Sequence, residues 1–291
     1  MRSVLKSMKK LFYILITLIV FSSCSEYQKV LKLTGEGATK EKFEMGEALF
    51  NEEKYAKANR LFAQIVPEYR GKPQAEKLMF LYAMTFYKMK DYYISSYRFE
   101  QFTKSYPKSE KFEEASFLSV KSYYMLSPIY TKDQTETKEA IAKTQEFINL
   151  FPESEFFEEA NTLVQELDFK LEQKAFAIAK QYGEIAPGYT GDFNAAIKSF
   201  DNFLYDFPGS RLREDALFYR LDAVFQQAVN SIEYKNSKDE GIVHLRKQRL
   251  ETAKEDSAFF LRTFTKSKYI EQVNAMTNLV EEELKQYSTK S

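Results

Sequence analysis

The stretch Phe203-Leu-Tyr-Asp-Phe-Pro-Gly-Ser-Arg-Leu-Arg-Glu-Asp-Ala216 recurs along this chain, and its reading decides the fold. Close copies run from Phe102 to Ala115 (FTKSYPKSEKFEEA) and from Phe147 to Ala160 (FINLFPESEFFEEA). A weaker copy lies at Phe260 to Val273 (FLRTFTKSKYIEQV), and a diverged one at Phe62 to Ala75 (FAQIVPEYRGKPQA). Counted from Pro67, Pro107, Pro152, Pro208 and Thr265, every copy has Phe five residues before, an apolar residue one before, and Ala or Val eight after.

Physically the unit reads as a helix, a corner and a second helix. Phe147 and Phe151 are four apart and so share one face at a helix end. Proline cannot continue that helix and pushes the preceding residue towards extended geometry. Ser109, Ser154, Ser210 and Ser267 follow two residues later, where each is expected to be the N-cap of the next helix, with carboxylates such as Glu113 and Glu158 in its first turns. Ala115, Ala160 and Ala216 are expected to face inward where two helices approach closely. Helix-turn-helix units at a regular period make a solenoid.

Successive markers are 40, 45, 56 and 57 residues apart, longer than the roughly 34 of a standard tetratricopeptide repeat, so the later units carry longer first helices or inserted loops. The second unit nevertheless resembles that repeat, with Ala83, Phe86, Tyr92, Phe99 and Pro107 at its small, aromatic, tyrosine, aromatic and proline positions. Gly46, Leu49, Tyr55, Ala58 and Phe62 match in the first unit, and Phe193, Ala196, Phe200 and Pro208 in the fourth. The expected fold is all-α: a tetratricopeptide-like superhelical array of five helical hairpins plus a C-terminal capping helix. Its units span about 40–70, 73–107, 110–152, 155–208 and 211–265, with the cap at 268–287.

At the N-terminus, Met8-Lys-Lys precedes an apolar run of 11 residues, Leu11 to Phe21, and either Met1 or Met8 serves as a start. A spanning helix needs roughly 20 apolar residues, so residues 1–23 read as a secretory signal. The run ends at Ser22-Ser23-Cys24, and Cys24 is the only cysteine. This resembles the lipobox of bacterial lipoproteins, with Phe21 where that pattern prefers leucine; the resemblance implies acylation of Cys24. The other reading of Cys24 is an incidental thiol at an ordinary cleavage site. A lone cysteine forms no internal disulfide. More than one acyl chain gives stable membrane attachment, each buried methylene contributing about 0.8 kcal/mol. Residues 24–39 read as a lipidated tether, and no acidic run of the surface-export kind follows Cys24.

The chain balances 42 basic against 42 acidic residues, and loss of Arg2, Lys6, Lys9 and Lys10 with the signal leaves 38 against 42. A mildly acidic body argues against nucleic acid as a partner, because such binding rests on clustered Lys and Arg. Aromatics make up 16% with no tryptophan, while Gly (9) and Pro (7) are scarce, which suits helices packed through Phe and Tyr. About 265 mature residues exceed one ordinary core, and an array avoids that limit because each unit packs only on its neighbours.

Unit two is rich in tyrosine: Tyr82, Tyr87, Tyr92, Tyr93 and Tyr97. Phe99 and Phe102 share the packing stripe with Ser95 and Tyr92, which leaves Tyr93 and Tyr97 on another face. Each tyrosine reads either as amphipathic packing with a wet hydroxyl or as part of a peptide-binding surface. Unit three has a loop from Ser127 to Glu136, where Pro128 stops its first helix. Unit four begins with a long helical pattern from Phe156 to about Tyr182 and breaks at Gly183 to Gly191, a segment that is either a partner-binding loop or a plain connector. In unit five, Leu212 to about Tyr234 is followed by Ile242 to Phe264, whose Arg246, Lys247, Arg249 and Lys254 beside Glu251, Glu255 and Asp256 read as a solvated face. A final helix from Tyr269 to Gln286 caps the array.

The residues of familiar catalytic chemistry are missing. His244 is the only histidine and has no ligand partner for a zinc site. No dinucleotide fingerprint, phosphate loop, nucleophile elbow or calcium loop is present. Glu113-Glu114 and Glu158-Glu159 repeat with the fold and read as structural. No enzyme activity, metal or cofactor is expected.

Taken together, Cys24 and the SYPKS, LFPES and DFPGS corners with their acidic, alanine-bearing helix starts resemble the outer-membrane assembly lipoproteins of the BamD family over roughly residues 40 to 286. The resemblance implies a subunit of the β-barrel assembly machinery, lipid-anchored in the outer membrane and facing the periplasm. It implies that late units hold a BamA-like barrel-forming subunit and early units receive unfolded outer-membrane β-barrel precursors. Carried over by position, the precursor candidates are Tyr82, Tyr87, Tyr93 and Tyr97, and the partner candidates are Pro187, Gly188, Tyr189, Asp192 and Lys198. Two other classes are a periplasmic tetratricopeptide scaffold in envelope maintenance or cell division, and a SusD-like glycan-capturing lipoprotein. The latter are far longer chains, and the absence of tryptophan argues against sugar stacking.

Overall fold

Proline and the register of Phe and Ala dictate where helices stop and restart, and the structure follows them. This computed structural model describes residues 26–35, 37–69, 71–72, 74–187, 192–230 and 237–288. The helices are α1 (Ala38–Asn51), α2 (Tyr55–Ile65), α3 (Ala75–Lys88), α4 (Tyr92–Ser105), α5 (Phe112–Leu126), α6 (Thr135–Leu150), α7 (Phe157–Ile185), α8 (Phe193–Asp206), α9 (Arg213–Val229), α10 (Glu240–Thr263) and α11 (Ile270–Ser288), with a short 3-10 helix at Val66–Tyr69. Among the described residues there is no strand. The all-α array of helical hairpins is as expected.

The described residues form two compact units, one from those up to Pro128 with Gln134–Leu167, the other from Ile129–Asp133 with those from Asp168 onward. In the first, one core joins Phe43, Leu49, Leu61, Phe62, Ile65, Leu78 and Phe86. A second joins Ala83, Phe99, Phe102 and Ala115, and a third Phe117, Phe147, Ala160 and Leu163. The other unit repeats the scheme with Ala179, Phe200, Phe203 and Ala216, then Phe218, Leu221, Phe260 and Val273, and finally Val224, Leu250, Ala253 and Val280. All five marker phenylalanines and all five small residues that follow them are buried. That recurrence is the packing reason for the register.

The corner serines differ from the expected N-caps. Ser109, Ser154, Ser210 and Ser267 accept through Oγ from the N–H of Lys111, Phe156, Leu212 and Tyr269 at 2.9 to 3.0 Å, so they close the turn before the helix. Lys111 and Leu212 are the N-caps of α5 and α9, and their side chains make no capping bond. The serine hydroxyls also donate outward: Ser109 to Glu76, Ser154 to Glu113, and Ser210 to Glu172 at 2.6 Å. Each bond ties a corner to the first helix of its own repeat. The fifth repeat substitutes an ion pair, Lys268 to Asp215 at 2.8 Å, with the Tyr269 hydroxyl donating to the same carboxylate at 2.6 Å.

Two further differences concern local elements. Residues 26–32, expected within the tether, are helical, and Tyr27 and Val30 are buried in the first core. Their spacing of three puts them on one helix face with Leu31 beside them, so this part of the tether packs on the array. Arg246, expected on a solvated face, is buried against α11, as set out below.

Candidate functional site

Of the tyrosines in unit two, the structure separates two groups. Leu78, Tyr82 and Phe86 are four apart on one face of α3, so Tyr82, expected to meet a peptide, lies in the first core with its ring edge-on to Phe86 at 5.0 Å. Tyr87 is half-buried and packs edge-on against Tyr92 at 5.8 Å and Phe99 at 6.4 Å. Burial pushes its hydroxyl pKa up, with Lys121 opposing and Tyr92 and Glu159 reinforcing. Tyr93 and Tyr97, one turn apart on α4, are 77% and 52% exposed. Of the four, these two are the largely exposed ones.

Beside them stands Arg98, which the sequence did not single out. Its guanidinium lies 5.2 Å from the Tyr82 ring and 5.7 Å from the Tyr97 ring, and its buried Nε donates to nothing. A cation held by two rings, with no carboxylate paired to it among the described residues, is suited to an incoming anion. No local pattern marks it, because the Tyr82 ring it meets comes from the neighbouring helix.

In the other compact unit the partner candidates scatter. Gly188 and Tyr189 lie outside the described residues. Asp192 is exposed and caps α8, accepting from the Asn194 N–H at 3.0 Å. Asp91 and Asp239 cap α4 and α10 in the same way, accepting from Ile94 at 3.4 Å and from Gly241 at 2.9 Å. Lys198 is exposed on α8. Pro187 lines a groove of about 360 Å³ between α7, α8 and α9, walled by Phe193, Phe200 and Tyr219 with Lys180 and Asp222 at its polar side. Burial raises the Asp222 carboxyl pKa, and the Gln226 amide, donating at 3.3 Å, opposes that only in part.

A second groove, about 340 Å³, lies between α4, α5 and α6 and includes Glu100, Lys143, Phe147 and Leu150. Its charges answer one another: Lys143 pairs with Glu100 at 2.6 Å, and the Tyr123 hydroxyl donates to Glu100 at 3.1 Å. Burial and the Glu100 charge push the Tyr123 hydroxyl far up its range.

Cys24 lies outside the described residues. Among the described residues no group of three His, Cys, Asp or Glu side chains is arranged to hold a metal, and no helix is long and apolar enough to cross a membrane. His244 is exposed on α10.

Comparison with known proteins adds the following. Residues 36–187 match the model of the YfiO family, described as outer membrane lipoproteins. A protein of Aquifex aeolicus (strain VF5), named as the outer membrane protein assembly factor BamD, is 28% identical over 251 residues, which is 86% of this chain and 79% of that protein. Among solved structures, the yeast histone chaperone Hif1 overlaps 85% of this chain and 94% of its own, at 16% identity and a TM-score of 0.29, too low a similarity to bear on fold or function.

Proposed function

This chain belongs to the YfiO family of outer membrane lipoproteins, and from that premise we propose that it is a non-enzymatic scaffold of β-barrel assembly in the outer membrane, anchored by lipid on Cys24 and facing the periplasm. In this reading the first compact unit receives unfolded β-barrel precursors and the second holds a BamA-like barrel-forming subunit.

The observation that carries the reading is the pair of exposed rings Tyr93 and Tyr97 beside the carboxylate-free Arg98. Tyrosine gives contact area at low entropic cost, and an open helix face suits an extended chain that must be released again. Pro187, Asp192 and Lys198, with Gly188 and Tyr189, supply the partner side.

The test is site-specific photocrosslinking in cells. Probes at Tyr93 and Tyr97 are expected to capture barrel precursors, and a probe at Lys198 to capture the barrel-forming subunit. Precursor capture at Lys198 with none at Tyr93 or Tyr97 would reverse the division of labour. Depletion separates the wider classes: loss of outer-membrane barrels supports assembly, whereas a division defect with normal barrels points to another periplasmic scaffold.

A further inference from the structure

In the second compact unit, several carboxylates near the packed helix faces have cations against them. Arg220 pairs with Asp201 at 2.5 Å and with Asp256 at 2.6 Å, and Lys268 pairs with Asp215 at 2.8 Å. Among the described residues no cation pairs with Asp222, whose hydrogen-bond partner is the neutral Gln226 amide at 3.3 Å. Lys180, the cation of the same groove, is engaged elsewhere, 5.1 Å above the Tyr219 ring and 3.5 Å from Glu184.

A half-buried carboxylate without a cation is a standing cost to the fold, and burial accordingly disfavours its charged form. Around it are a proline, two phenylalanines and a tyrosine whose ring lies parallel to Phe200, with centroids 6.3 Å apart and an interplanar angle of 11°. An aromatic wall next to an uncompensated carboxylate is complementary to a flat cation, which stacks on the one and forms charge-assisted hydrogen bonds with the other. Arginine meets both demands better than lysine, because its planar fork matches the ring face and the carboxylate together. The groove's 360 Å³ accommodates such a side chain.

We propose that this groove is the socket for an arginine side chain presented by the protein partner that docks beside Pro187, with Asp222 as its counter-charge and Tyr219 as its stacking surface. The inference rests on the scaffold reading above and specifies the partner's chemistry. When the ring is taken, Lys180 keeps Glu184 as its ion-pair partner.

The test measures binding of the full mature chain to the soluble periplasmic region of the barrel-forming subunit from the same organism. Asp222→Asn is expected to weaken binding about tenfold, the effect of removing one member of a partly desolvated charge pair, and its thermal melt reports that the fold is kept. Asp222→Arg is expected to abolish binding, and one Arg→Asp change in a scan of the partner's arginines is expected to restore it. Equal binding by wild type and Asp222→Asn, or no restoring arginine, overturns the proposal while leaving the scaffold reading in place. Absence of binding by the wild-type chain overturns the scaffold reading itself. If instead the chain self-associates in sedimentation and Asp222→Asn abolishes this, the occupant is a second copy and the proposal is wrong.

Discussion

Arg246 donates from Nη2 to Glu283 at 2.8 Å and from Nη1 to the Tyr287 hydroxyl at 2.8 Å, with the arginine only 1% exposed. The pair fastens α11 to α10 over the core of Val224, Leu250, Ala253 and Val280. Breaking a buried pair from one side leaves a charge stranded, whereas replacing both partners with apolar residues of similar size often costs nothing. Glu283→Ala is therefore expected to lower the unfolding free energy by about 3 kcal/mol, and the double change Arg246→Met with Glu283→Leu by about 1 kcal/mol or less, read by urea denaturation.

The serine staples offer a second check. Ser210 Oγ both accepts from the Leu212 N–H at 3.0 Å and donates to Glu172 at 2.6 Å. Ser210→Ala removes both bonds and is expected to cost about 1 to 2 kcal/mol, with Glu172→Gln costing less because an amide oxygen still accepts. Calorimetry should show the difference as a lower midpoint for the serine variant.

Two aspartates are expected to respond to pH with opposite sign. The Asp222 carboxyl pKa is raised in the fold by burial, so its charged form is a penalty that is absent below the ordinary value of 3.8 and grows as pH rises through the folded value. Asp222→Asn should raise the midpoint at pH 7 by about 2 °C and leave it unchanged near pH 3. Burial also works to raise Asp215, but Lys268 and Tyr269 overcome it and hold its pKa below 3.8. Its contribution is present above 3.8 and is lost as pH falls through the lowered folded value. Asp215→Asn should therefore lower the midpoint at pH 7 and converge with the parent in acid.

Gly46 is a close-approach glycine. A Cβ built there would stand 2.5 Å from the Phe62 ring, which is fully buried. Alanine gains about 1 kcal/mol of helix propensity, but overpacking a buried ring costs about 1 to 3 kcal/mol, so Gly46→Ala is expected to destabilise and Gly46→Val more so. Thermal melts of the pair decide it. Retention of full stability in the valine variant would show that α1 and α2 separate without cost.

Cys24 carries the anchoring proposal. Cys24→Ser is expected to move the mature chain from the membrane pellet to the soluble periplasmic fraction with its helical circular dichroism unchanged. A serine variant that stays in the pellet as the parent does would remove acylation as the means of attachment.

The sequence made the corners legible because their causes are local. Proline fixes φ and lacks an N–H, Phe147 and Phe151 share a face by spacing alone, and both constraints act within a single turn. The same logic correctly put Phe99 and Phe102 inside and left Tyr93 and Tyr97 outside. It failed wherever the partner sits a repeat away. The acceptors of Ser109, Ser154 and Ser210 lie 33, 41 and 38 residues distant. Arg246 has basic and acidic neighbours along its own helix and so read as solvated, yet Glu283 and Tyr287 claim it from α11.

The chain's own letters determined that there would be helical hairpins and which phenylalanines and alanines would close them, since backbone restriction and periodicity need no distant contact. Only the tertiary structure decided which polar groups are bonded, which tyrosines remain available, and that Asp222 faces an aromatic groove with a neutral amide as its hydrogen-bond partner. Those outcomes depend on which helix lies against which, and burial by a neighbouring helix sets the worth of a charge more strongly than the residues beside it in sequence.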